Sequence, residues 1–167
     1  MDLDRYTTLV ISLSKRGLDE QDKLSAIVSC LRLSIPAANR ISLWRFEENK
    51  TRIRCLTLNQ DGQNLPTHGL SLSEEDIPNY FDDILKQSVL VASDARNHPS
   101  TKCFNENYFK PNDIYSLLDF TFHHQFNPIG VICCEKTHSA IQWSQNDIDN
   151  LKRVAQITSM FYDSETP

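Results

Sequence analysis

Two acids stand where acids are costly. Asp119 interrupts the run Ile114-Tyr-Ser-Leu-Leu-Asp-Phe-Thr-Phe-His-His124, and Glu135 closes the run Pro128-Ile-Gly-Val-Ile-Cys-Cys-Glu135. Both runs read as β-strands apolar on both faces, which places them between two layers of a domain and not on its surface. A carboxylate buried without a partner costs several kcal/mol or holds its proton to higher pH. Asp119 therefore needs a donor: backbone amides of the Asp94–Pro99 loop, or a ligand amine, amide or ring NH. Trp44, Phe104, Tyr108 and Leu117 supply apolar walls, and Asp94, Asp119 and Glu135 polar anchors, the mixture a small-molecule site combines. Ser42 shares a strand face with Trp44. Each residue also has a plainer role. Trp44 and Tyr108 can be core, Asp94 a turn cap, Asp119 a bond to covering loops, and Glu135 a solvated strand end.

Other reactive side chains carry less. The five cysteines, Cys30, Cys55, Cys103, Cys133 and Cys134, have no metal-ligand spacing and read as reduced core thiols. Cys133 and Cys134 are neighbours on a strand, so they point to opposite faces. His123 and His124 flank a turn and cannot both aim at one metal. No nucleophile, base and orienter stand together, so an enzyme is not expected. A net charge of -5 argues against a nucleic-acid surface. No apolar run is long enough for a membrane span, and the N-terminus lacks signal-peptide architecture, so a cytoplasmic protein is expected. No metal or cofactor is expected beyond an unidentified small ligand.

The elements that would position these residues follow from periodicity. Apolar residues at helical spacing predict a first helix over residues 2–16 and a second, capped by Asp19, ending at Pro36. Ile41–Phe46 and Thr51–Leu58 are strands, the second nearer an edge, followed by polar loop from Asn59 to Gly69. His68–Leu72 can add a short strand. Pro78 opens a short helix carrying Tyr80, Phe81, Ile84 and Leu85. Val89–Ala92 is a brief strand, and Ser100 caps a short helix with Phe104 and Tyr108 one turn apart. The two acidic runs form an antiparallel hairpin around Gln125-Phe-Asn-Pro128. Ser144-Gln-Asn-Asp147 is a capping box for a last helix over residues 144–163. This order is α+β with an antiparallel sheet in one domain over residues 1–167.

Pro128-Ile-Gly-Val-Ile-Cys-Cys-Glu135 followed by Gln142-Trp143-Ser144, together with Ser93-Asp94-Ala95-Arg96, Ser116-Leu-Leu-Asp119 and Arg40-Ile-Ser-Leu-Trp-Arg-Phe46, resembles a GAF domain of a bacterial signalling protein. Ser93-Asp94-Ala95-Arg96 and Ser116-Leu-Leu-Asp119 resemble segments of the GAF domains attached to diguanylate cyclases and sensor histidine kinases. The resemblance spans residues 18–162. It implies a GAF-like (profilin-like) six-stranded antiparallel sheet with the terminal helices on one face and a ligand pocket on the other. In phytochrome-like relatives the positions matching Ser42, Trp44, Tyr108, Leu117, Asp119 and Glu135 line a chromophore cavity, and Asp76-Ile77-Pro78 resembles a motif placed over the chromophore. Covalent bilin attachment is disfavoured. The attachment cysteine falls at Phe104, with Cys103 one residue early; Asn105 takes the place of the histidine that usually follows, and Glu135 and Lys136 stand where those domains favour histidine. The fold's one enzymatic precedent, a reductase of free methionine sulfoxide, works through cysteines unlike those here. The resemblance thus implies a ligand-sensing domain, a homodimer through its end helices, and an output domain of GGDEF or kinase type where the chain is part of a longer protein. Leu9, Val10 and Leu13, then Phe161 and Tyr162, are apolar beyond what one sheet face needs and are expected to supply the dimer contact. The alternative is a ligand-free dimerisation module.

Overall fold

The central hairpin is the middle of an antiparallel sheet, in a computed structural model that describes residues 3–162. β6 (Ile114–His124) and β7 (Asn127–Thr137) are joined by a two-residue turn, Gln125-Phe126, both at positive φ. The expected four-residue turn is shorter because Asn127 and Pro128 already pair with His124 and His123. β1 (Arg40–Glu47) lies on the other side of β7, and β5 (Val89–Ala92) on the other side of β6. β2 (Arg52–Gln60) pairs with β1, and its outer edge carries two fragments, β3 (Gln63–Asn64) and β4 (Ser71–Ser73). The sheet has seven strands where six were expected, yet it is six positions wide, because β3 and β4 share one edge. β3 falls in the stretch expected as loop.

Strand alternation sorts the side chains as the hydrophobic pattern required. Ile41, Leu43, Leu118, Phe122, Ile132 and Cys134 face a helical layer of α1 (Arg5–Leu13), α2 (Glu20–Ser34) and α4 (Gln145–Phe161). Trp44, Phe46, Leu117, Val131 and Cys133 face a second layer, made by α3 (Pro78–Gln87) and the segment 93–113. Two bulges keep this sorting. One at Leu56 returns Leu58 to the face of Cys55, and one at Tyr115 returns Leu117 to the face of Ile114. Gly130 is required by close approach: a β-carbon there would overlap the Phe122 ring and the Trp44 carbonyl oxygen.

The caps follow the expected chemistry in part. Asp19 caps α2 by accepting from Asp22 N, and Ser144 and Asp147 form the reciprocal box at α4. α1 ends at Leu13, short of residue 16, and is capped by Asp4; Asp2 and Asp163 lie outside the described residues. Leu9, Leu13 and Tyr162, expected as surplus for a dimer contact, are buried in the helical layer, and Val10 and Phe161 pack against it. The segment after Ser100 is a 3-10 turn (Lys102–Phe104) running into a π-helical turn (Asn105–Phe109), not a capped α-helix. The Ser100 hydroxyl bonds Asp83 instead of capping.

Candidate functional site

The site lies on the sheet face away from the terminal helices. β6 aims Asp119 and Leu117 at it, β7 aims Glu135 and Cys133, and β1 aims Trp44. α3 lowers Tyr80 onto them, and the 3-10 and π-helical turns lower Phe104 and Tyr108. Ile53 and Leu72 close one side. Six of the eight expected residues thus line one buried chamber: Trp44, Phe104, Tyr108, Leu117, Asp119 and Glu135. The rings interlock edge to face, Tyr80 on Phe104 at 5.0 Å and Trp44 on Tyr108 at 6.3 Å between centroids. The space left between them is about 10 Å³, the size of one water molecule.

Two expected residues do not line it. Ser42 is fully buried beside the chamber, where its hydroxyl accepts from Trp44 Nε1 at 2.7 Å and orients the indole. Asp94 is exposed in the turn after β5, outside the chamber, its carboxylate accepting from the Asn97 side chain at 2.9 Å. Nor does the Asp94–Pro99 loop supply the donor for Asp119. Asp76 is likewise exposed, while Ile77 enters the core.

The two acids are held differently. Glu135 is buried, not solvated at a strand end. Its Oε1 accepts from Arg40 Nε at 3.2 Å and from Tyr108 at 3.5 Å. Arg40 is itself buried and bonds Gln60 Oε1 at 2.9 Å. Burial raises the Glu135 carboxyl to about 7 even though Arg40 pulls it down. Asp119 accepts from the Tyr80 hydroxyl at 2.6 Å through Oδ2. Burial raises it to about 8; the Tyr80 bond lowers it and the Glu135 charge raises it further. The Cys133 thiol lies beside this carboxyl, and burial with both carboxylates drives its pKa well up, so it stays a thiol. No hydrogen bond reaches Asp119 Oδ1. The exposed Cys103 is also pushed up by burial of its sulfur and has no cation to activate it among the described residues.

Tyr108 faces two spaces. On its other side a solvent-open cleft of about 480 Å³ is lined also by Arg40, Leu58, Leu65, Pro66, His68, Gly69, Leu70 and Asn112. Tyr108 forms the partition between cleft and chamber, and Arg40 reaches from the cleft side to Glu135.

No protein-family model matches this sequence, and no curated protein sequence matches it. Solved structures do. The phycocyanobilin-bound GAF domain of a cyanobacterial phytochrome superposes with a TM-score of 0.75 at 15% identity, covering 96% of this chain and 94% of that one. The GAF domain of an Acinetobacter phosphoenolpyruvate-protein phosphotransferase gives 0.72 at 14% identity, covering 96% and 94%. The fold is the GAF fold. Residues 122 to 287 of a methyl-accepting chemotaxis protein give 0.68 at 15% identity over 94% and 93%. Identities this low establish architecture and nothing about ligand. Among the described residues, no helix of this GAF-fold chain is long and apolar enough to cross a membrane.

Sequence reasoning missed Arg40 and Tyr80, which hold the two acids. Arg40 has the parity of Ser42 and Trp44, so a charge on the buried face of β1 was legible. Its pairing with Glu135 depends on which strand neighbours β1. Tyr80 was visible as one position in an amphipathic stripe, with nothing local to distinguish its hydroxyl from an exposed one.

Proposed function

We propose that this GAF-fold chain is a small-molecule-sensing regulatory domain of a bacterial signal-transduction protein, not a catalyst. The observation that carries the reading is the convergence of Asp119, Glu135, Tyr80 and Tyr108 inside an aromatic chamber against an open cleft. Stability alone does not call for such a cluster, since apolar residues of similar volume commonly serve as well. A ligand would reach the chamber from the cleft by moving Tyr108 and Phe104. Their 3-10 and π-helical turns have poor hydrogen-bond geometry and so shift more readily than an α-helix. The change would pass through the sheet to α1 and α4, and from there to a homodimer partner and an output domain of GGDEF or kinase type in the cytoplasm. Solved neighbours of the same fold come from a phytochrome, a phosphotransferase and a chemotaxis protein, which supports a signalling role without naming a ligand.

A second reading has one observation in its favour. The chamber is nearly full, as a ligand-free interaction module would require. A bilin is far larger than this space, and Cys103 stands outside it, which weighs against chromophore binding. Native mass spectrometry of protein purified from its own host separates the two main readings. A bound small molecule that disappears in a chamber-filling Leu117→Phe variant supports the sensor, and its absence in both forms supports the interaction module.

A further inference from the structure

The buried cluster is one donor short. Asp119 lines the chamber, is fully buried and has its Oδ2 satisfied by Tyr80, yet Oδ1 has no hydrogen-bond partner, the Cys133 thiol beside the carboxyl being at most a weak donor. A buried carboxylate oxygen with no donor is costly, so a group that donates there favours the ionised form. Once Asp119 ionises, the cluster is also one positive charge short. Arg40 offsets Glu135, and among the described residues no ion pair reaches Asp119. The rest of the chamber near it is ring: Trp44, Tyr80, Phe104 and Tyr108. Carboxylate and aromatic quadrupole attract the same partner, a cation, and attract it most where water is excluded.

We infer that the chamber takes a compact cation bearing N–H groups, such as ammonium, a primary amine or an amidine, whose N–H donates to Asp119 Oδ1 and whose charge balances that carboxylate. This rests on reading the chamber as a ligand site. A quaternary ammonium lacks the donor, and an anionic ligand would find Arg40 already paired with Glu135. Ammonium is the size of the present space. A larger amine needs Tyr108 and Phe104 displaced toward the cleft that shares Tyr108.

The protons balance. Asp119 holds its proton up to about pH 8, so at neutral pH the cation displaces it: the neutral carboxyl and the ammonium give an ion pair, and one proton leaves to solvent. The groups that tune this step are Glu135 and Cys133 on β7, Tyr80 on α3, Tyr108 on the π-helical turn and Arg40 on β1. Binding therefore tightens by up to about tenfold per pH unit as pH rises toward 8.

The test uses the full chain and methylammonium chloride, against tetramethylammonium chloride and sodium chloride at equal ionic strength. Calorimetric titration at pH 6.5 and 8, in buffers of different ionisation enthalpy, should show methylammonium binding with proton release and tighter binding at pH 8. Tetramethylammonium should not bind, and Asp119→Asn, which keeps the acceptor for Tyr80, should weaken methylammonium at least about tenfold. Equal binding of the two cations, or equal binding by Asp119→Asn, overturns the inference. Should that variant not fold, carboxyl NMR of the wild type decides: methylammonium must lower the Asp119 pKa by at least about one unit, and an unmoved value overturns it. If methylammonium does not bind but a neutral or anionic molecule travels with the host protein and is lost in Leu117→Phe, the sensor reading stands and the cation class falls. If nothing binds at all, both fall.

Discussion

Asp119 and Glu135 make stability depend on pH with a sign set by burial. Unfolded, a carboxyl ionises near its ordinary value of about 4. Folded, Asp119 keeps its proton to about 8 and Glu135 to about 7. Between those limits the folded state binds more protons, so each group lowers stability as pH rises, by about 1.4 kcal/mol per pH unit. The loss is complete above pH 8. Urea unfolding from pH 5 to 8 should therefore show falling stability in the wild type and a shallower fall in Asp119→Asn; equal slopes would mean Asp119 is already ionised. Arg40 has the opposite character. Arg40→Met removes the partner of Glu135 and strands a buried acid, which should cost about 3–5 kcal/mol. Arg40→Met with Glu135→Leu should recover much of that loss, measured by the same unfolding, because no charge is then left behind.

Among the elements, the hairpin and the turns over the chamber differ in how firmly they are built. Gly130 sits where β7 passes Phe122 and the β1 backbone, so Gly130→Ala should destabilise by about 1–3 kcal/mol through overpacking, read as a lower urea midpoint at unchanged slope. The hairpin turn is the opposite case. Phe126 is fully exposed at φ +66, a conformation that costs a side chain about 1 kcal/mol and glycine nothing. Phe126→Gly should accordingly raise the melting temperature; an unchanged or lower value would show that the extra unfolded-state freedom of glycine outweighs the strain relieved. Phe104 and Tyr108 hang on 3-10 and π-helical turns without a side-chain cap. Amides there should exchange hydrogen faster than those of β6 and β7, whose ladders run through the core.

For the molecule as a whole, the open question is what the helical layer meets. The residues expected to supply a dimer seam, Leu9, Leu13 and Tyr162, are used inside the chain. The apolar side chains left exposed on that layer are Ile11 on α1, Leu33 on α2 and Met160 on α4, with Leu3 just before α1. A homodimer through the end helices must use these. Sedimentation at high micromolar concentration should show a dimer that Ile11→Glu with Met160→Glu dissociates without changing the melting of the monomer. A wild type that stays monomeric would remove the dimer from the proposed mechanism.

The alternation of apolar residues along β1, β6 and β7 was enough to place two layers around one sheet, because side-chain period and burial are local properties of a strand. The same alternation put Leu117 and Asp119 on one face of β6, while it was the GAF resemblance that grouped them with Trp44 and Glu135. The capping boxes and the helix at Pro78 were equally local, since each is decided by residues within one turn. The partners of the acids were not local. Tyr80 lies 39 positions from Asp119 and Arg40 95 positions from Glu135, so their bonds depend on how α3 docks and on β1 taking its place beside β7. Asp94 shows the converse: its type suited a ligand anchor, but the turn after β5 carries it out to solvent, where Asn97 satisfies it. The size of the chamber was the property furthest from the sequence. It is the remainder after four aromatic rings from four elements have packed together, and so small a difference between large volumes exists only once the whole fold has formed.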